Sequence, residues 1–241
     1  MKGITTAIAL FGLFTASAHS SSLPEHIKVL DYSGFNMLFD CQQRAPIVFQ
    51  MVLTHDTGYT KRKDNFKQDP HLDSRCQQSS SKSYGKRNGT IYHRGHLISA
   101  NSQDSSRRAM NESFFMVNVV PQAGGFNTGA WLLTEQYEEC LRENGDIKVM
   151  GGVMFSDPTN DYFIKSHGIK TPDTFWKIIQ THSGYYAWAF PNSDDATKTN
   201  ITRYAVTYND IQKLTGLNLD LNGASRLNDR SLPRTEHCDL G

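Results

Sequence analysis

At 241 residues the chain has room for one sizeable domain or at most two small ones. Its 38% hydrophobic and 11% aromatic content is enough to fill a packed core, which excludes wholesale disorder. Lysine and arginine number 25 against 24 acidic residues, a net charge of +1, so overall charge names no partner and any electrostatic argument must be local.

The opening residues, MKGITTAIALFGLFTASAHS, have the grammar of a secretory signal peptide. Lys2 is a minimal basic region, Ile8 to Phe14 a short apolar core, and Ala16-Ser17-Ala18 a small-residue cleavage site. A buried N-terminal helix is the alternative. Cleavage would leave residues 19–241 as a single domain, with no segment long and apolar enough to engage a membrane. Residues 45–53 (APIVFQMVL) read as a buried strand, and 56–90, rich in Lys, Arg, Ser and Gln, as an extended surface excursion. Between 61 and 94 nine basic residues stand against three acidic ones. Such a run is ordinarily solvated surface. This one leads into GTIYHRGHLISA at 89–100, which makes a polyanion site an equal alternative.

Further along, 104–113 predicts a short helix and 114–120 a strand ended by Pro121. Apolar residues at helical spacing predict a helix over 127–144, stopped by Gly145. Strands are expected at 147–155, 174–181 and 185–190, with a turn at Pro191-Asn192, and a helix at 207–216. The pattern is α+β: a central, mostly antiparallel sheet flanked by helices. Four cysteines in an exported chain suggest two disulfides, and three pairings are open. The working expectation is Cys41–Cys76 with Cys140–Cys238, the second tying the C-terminal tail to the body.

His96 falls where a strand gives way to a loop, and an imidazole with a pKa near 6.5 can take a proton from water at neutral pH. Asn127 and Glu135 lie eight residues apart on one helix with Trp131 midway, along one slowly drifting face. An amide oxygen and a carboxylate are hard donors, suited to Mg²⁺, Mn²⁺ or Ca²⁺. Arg94 is placed to stabilise phosphate charge. Each residue has a plainer reading: His96 as a structural histidine, Asn127 as a helix N-cap, Glu135 as solvated surface and Trp131 as core.

Taken in order, the motifs resemble the DNA/RNA non-specific endonucleases of the ββα-metal superfamily, over roughly residues 40–220. That family has an Asp-Arg-Gly-His signature, then Asn-Ile-x-Pro-Gln, then a helix opening Asn-x-Gly-x-Trp with a downstream Glu. The counterparts here are His93-Arg94-Gly95-His96, Asn118-Val119-Val120-Pro121-Gln122, and Asn127-Thr128-Gly129-Ala130-Trp131 with Glu135. The resemblance implies the ββα-metal fold and hydrolysis of DNA and RNA to 5′-phosphate products, and the signal peptide and disulfides fit a secreted or periplasmic enzyme. It implies His96 as general base, Asn127 as direct metal ligand and Glu135 as the acid holding a water of the metal. Arg94 would sit beside the scissile phosphate, and Asn118, grouped with the catalytic set, would support the site. Mg²⁺ is the expected cofactor, with Mn²⁺ as substitute. Arg94, Arg87 and Lys86 are the expected substrate-binding residues. The family's leading Asp is His93 here, expected to support rather than catalyse. The competing readings are a degenerate nucleic-acid- or partner-binding module and a phosphodiesterase acting on small nucleotides. The sequence leaves an inhibitor protein open.

Overall fold

A computed structural model describes residues 23–238 and Leu240, so the expected signal peptide at 1–18 lies outside the described residues. The strands among the described residues are β1 (Ile27–Asp31), β2 (Asn36–Asp40), β3 (Ala45–Leu53), β4 (Gly85–Arg87), β5 (Thr90–His96), β6 (Val119–Ala123), β7 (Ile147–Met154), β8 (Thr174–Thr181) and β9 (Gly184–Pro191). They form a six-stranded sheet in the order β1-β2-β3-β7-β8-β9 and a three-stranded sheet in the order β4-β5-β6. All pairings between these strands are antiparallel. The helices are α1 (Arg107–Ser113), a single turn α2 (Gly124–Phe126), α3 (Leu132–Arg142), α4 (Ile164–His167) and α5 (Tyr208–Thr215). A π-helical turn, Asn127–Trp131, joins α2 to α3.

The run TFWKIIQT shows how the large sheet is held. Side chains of a strand alternate between faces. On β8, Phe175 and Ile179 join the core beneath α3 and the small sheet, while Trp176 and Ile178 join a second core covered by Ile211 of α5 and by Leu217 and Leu219. Both faces are covered, so the strand is apolar almost throughout rather than alternating. Each buried Phe or Ile contributes about 1.5–3 kcal/mol. The exception is Lys177, fully buried on the α3 face, whose Nζ lies 2.5 Å from Glu138 Oε1 and 4.0 Å from the centre of the Trp131 ring.

Expected and observed elements diverge in instructive places. β3, β7, β8 and β9 fall within a residue of the predicted strands. Pro121 was expected to end a strand but sits inside β6, opposite Arg94. β6 pairs only with β5, so its outer edge needs no amide from Pro121. Residues 116–118 before it form a 3₁₀ turn. Asn127 is not an N-cap. Its backbone is already helical, the helix having begun at Gly124. The disulfides pair Cys41 with Cys76 and Cys140 with Cys238. Among the described residues no helix is long and apolar enough to cross a membrane.

Candidate active site

Strand β5 runs antiparallel to β6, and the chain passes from β6 directly into the helical segment 124–142. This ββα unit sets His96 against Asn127. Gly95 is required between Arg94 and His96 because a Cβ there would come within 2.1 Å of Gln122 Oε1. His96 pairs with Val119, and its carbonyl accepts from Trp131 Nε1 at 3.0 Å, so one bond fixes the strand end to the helix. Trp131 is fully buried, a floor rather than a substrate platform.

The His96 ring packs between Phe66 and Phe114, with centroids 5.1 and 4.9 Å away. Its Nε2 is shielded and has no hydrogen-bond partner among the described residues. Burial first, then the neighbouring Arg62 and Arg94 charges, push its pKa down to about 3, against the pull of Asp64. The imidazole is therefore neutral at pH 7, with proton-acceptor capacity unspent. Arg94 lies 3.8 Å over the Phe66 ring and donates through Nη1 to Ser81 O at 2.9 Å. That leaves other guanidinium donors for a ligand.

Asn127 Nδ2 donates to His93 Nδ1 at 3.2 Å. No hydrogen bond among the described residues engages Asn127 Oδ1. The residue that departs from the family signature thus touches the expected metal ligand and takes up its donor end. Glu135, half-buried, has its carboxyl pushed up to about 8 by burial and by Glu138 and Glu139, against Lys177 and Arg62. Glu139, one turn on, is pushed up to about 7 by burial despite Arg142 at 3.1 Å.

Arg94, His96, Asn127 and Glu135 line one cleft of about 690 Å³. Other expected residues are not there. Asn118 is fully buried: its Oδ1 accepts from Ile98 N at 3.0 Å, and its Nδ2 donates to Ile98 O and Ser113 O at 2.9 and 2.8 Å. Its amide is spent on backbone, so it positions the loop after His96 rather than meeting substrate. Lys86 and Arg87 do not line the cleft. They pair with Ile91 and Thr90 at the opposite end of β5 from His96, about 20 Å away by strand geometry, and Arg87 rests 5.3 Å over Phe163. Of the basic run, Lys61, Arg62 and Arg94 reach the cleft. Arg62 was read in the sequence only as one member of the basic run, and Glu139 only as a second carboxylate one turn beyond Glu135. Arg62 is brought in by the path of an irregular segment, and Glu139 by helix phase relative to Glu135.

The donors fit a hard divalent cation held by few protein groups. A free amide oxygen and a carboxyl whose ionisation a cation would favour share the cleft. Among the described residues no three His, Cys, Asp or Glu side chains gather as a metal-binding group. An ion there would rest on few protein groups, with Asn127 Oδ1 open to hold it and Glu135 in the same cleft to hold one of its waters.

A strand-end histidine facing a helix-borne asparagine across a ββα unit defines a nuclease-type hydrolase site. The family model for DNA/RNA non-specific endonucleases matches residues 15–226, and the chain belongs to that family. It is 30% identical over 174 residues to Nuclease C1 of Cunninghamella echinulata var. echinulata, covering 66% of this chain and 68% of that protein. It is 24% identical over 227 residues to the mitochondrial Nuclease 1 of Schizosaccharomyces pombe, covering 86% and 70%. Its fold matches that of a chain from the EndoG/EndoGI complex with TM-score 0.67 at 23% identity, covering 85% of this chain and 88% of that one. The chain is thus a nuclease, and metal dependence is the norm of its family.

Proposed function

We propose that the chain hydrolyses phosphodiester bonds of DNA and RNA endonucleolytically in this cleft, with His96 as general base, leaving 5′-phosphate ends. The observation that carries this is the meeting of His96, Arg94, Asn127 and Glu135 in one cleft. His96 takes a proton from water as the water oxygen bonds to phosphorus in line with the departing 3′ oxygen. The P–O3′ bond breaks, and solvent supplies the proton that the 3′ oxygen gains. Arg94, braced by Phe66 and Ser81, holds a phosphate oxygen while negative charge builds, and Arg62 adds a second positive charge at the rim. Held by Asn127 Oδ1, with Glu135 engaging one of its waters, Mg²⁺, or Mn²⁺ in its place, would supply Lewis-acid stabilisation of the phosphate and leaving-group charge. Water is the nucleophile, so a ribose 2′-OH is not required and both polymers are substrates. Contacts to phosphate carry no base information, which fits low sequence specificity.

Plasmid DNA, RNA and a small chromogenic diester, each with Mg²⁺ and with EDTA, test the reading. Cleavage of both polymers with Mg²⁺, its loss in EDTA and 5′-phosphorylated ends are expected. EDTA-resistant cutting, or activity on the small diester alone, would overturn it. Two disulfides suit an oxidising compartment, and export through cleavage of residues 1–18 is part of the proposal. N-terminal sequencing of exported protein should begin near His19; an intact N-terminus would reject export by this route.

A further inference from the structure

We propose that Tyr59 is a stacking platform for one unpaired nucleobase of a single-stranded or locally unstacked polynucleotide lying across the cleft. The proposal rests on the nuclease reading and adds to it what holds the strand beside the scissile phosphate. Seven large apolar residues are exposed among the described residues, and Tyr59, at 91%, is the most exposed. It is also the one of the seven that lines the catalytic cleft. No ring or cation contact among the described residues engages it. Core packing does not account for an aromatic ring in that position.

The backbone that displays the ring is tied down on both sides. Gly58 N donates to Asp56 Oδ1 at 2.9 Å and Thr60 N donates to Asp104 O at 3.1 Å. Residue 58 lies close against Asp104, whose carboxylate would have to move to admit a Cβ there. The segment is also fastened to the end of α3. Arg142 Nε donates to Thr54 O at 2.6 Å, and Asp56 N donates to Glu143 Oε1 at 3.2 Å. Beyond the ring, Arg107 Nη1 donates to Lys61 O at 2.9 Å. The backbone that carries the ring is therefore fixed, and the ring lines the same cleft as Lys61 and Arg62.

That arrangement matches the two surfaces of a nucleic acid strand. Lys61, Arg62 and Arg94 face the phosphates, and the aromatic face takes a base. Every base has a π face, so stacking adds affinity without demanding a sequence. Bases inside a duplex already have stacking partners, so the platform favours single strands, ends and nicks.

The test is steady-state cleavage of short single-stranded oligonucleotides carrying one abasic residue, moved position by position, by wild type, Tyr59→Ala, Tyr59→Leu, Tyr59→Phe and Tyr59→Trp. Tyr59→Ala and Tyr59→Leu should raise KM roughly tenfold or more on intact single strands, with the loss falling on KM rather than kcat. Phe and Trp should restore it. One abasic position should cost the wild type the same factor and cost Tyr59→Ala nothing further, the non-additivity expected of two groups in contact. In EDTA, 2-aminopurine at that position should be quenched on binding wild type and not Tyr59→Ala. Wild-type KM in Tyr59→Ala, or losses that add at every abasic position, would overturn the proposal. Failure of the nuclease reading looks different: the wild-type protein would cut no polynucleotide, while the 2-aminopurine signal would still report whether Tyr59 stacks.

Discussion

The helical segment 124–142 presents two faces to two environments. On the face toward the large sheet, Glu138 is fully buried against Lys177, and the ammonium also sits over Trp131. Charge there is met by opposite charge. On the face toward the cleft, Asn127 Oδ1 has no hydrogen-bond partner among the described residues, the Glu135 carboxyl is pushed up by burial, and His96 lines the same cleft. The two faces lie within one helix width. A protein interior penalises an unmatched polar group by about 1–3 kcal/mol. On one face Glu138 is paired with Lys177 through Oε1 while its Oε2 has no hydrogen-bond partner among the described residues, and on the other Asn127 Oδ1 stands open to the cleft.

The comparison breaks most sharply at His96. His96→Ala should lower cleavage of plasmid and RNA about a hundred- to ten-thousandfold while cation binding, read by calorimetry, persists. Near-normal cleavage would remove His96 from the mechanism. On the sheet face the expected loss is in folding. Lys177→Met strands Glu138 and should cost about 3–5 kcal/mol in urea unfolding, much of it regained in the double variant with Glu138→Leu. A Lys177→Met protein as stable as wild type would show that the pair does not hold the helix.

The pH dependence of stability sharpens the same contrast. His96 is held at about 3 against an ordinary 6.5, so on acidification the unfolded chain takes the proton first. Its contribution is complete above pH 6.5 and is lost progressively toward pH 3, a matter of a few kcal/mol by linkage. Glu135 is raised from 4.5 to about 8, so its contribution is complete below pH 4.5 and fades as pH rises through 8. Urea midpoints of EDTA-treated wild type and His96→Gln between pH 8 and 4 should diverge, with wild type falling faster; parallel curves would contradict the buried neutral imidazole. The smallest effects belong to the basic run. Arg62→Ala should raise KM for polynucleotides several-fold and shallow the salt dependence by about one unit of slope, whereas Lys86→Ala with Arg87→Ala should change KM less than about twofold. The reverse order would return the substrate path to the β4–β5 hairpin.

Much of this architecture was legible because its signals are local. β3 and β8 announce themselves as apolar runs of strand length, and α5 by Thr207 as cap and Gly216 as stop. β1 escaped notice because it is a five-residue edge strand with Val29 exposed, and β4 because it has three residues. Ordered motifs single out His96, Arg94, Asn127 and Glu135, and the fold brings these four to one cleft. Lys86 and Arg87 lie away from the cleft, and charge density along a chain carries no record of which end of a hairpin meets it. Asn118 was expected to support the site, and the sequence does not show where its amide spends its hydrogen bonds, which is on the backbone of Ile98 and Ser113.

The sequence by itself determined the elements and the chemical inventory, since strand and helix periodicity and side-chain acidity are properties of short stretches. Tertiary structure decided which of those groups share a cleft, which polar atoms stay unpaired, and that an irregular segment some thirty residues before the HRGH motif supplies Arg62 and Tyr59. The reason is physical: burial, pairing and displaced pKa values depend on neighbours brought together by packing, and those neighbours lie far apart along the chain.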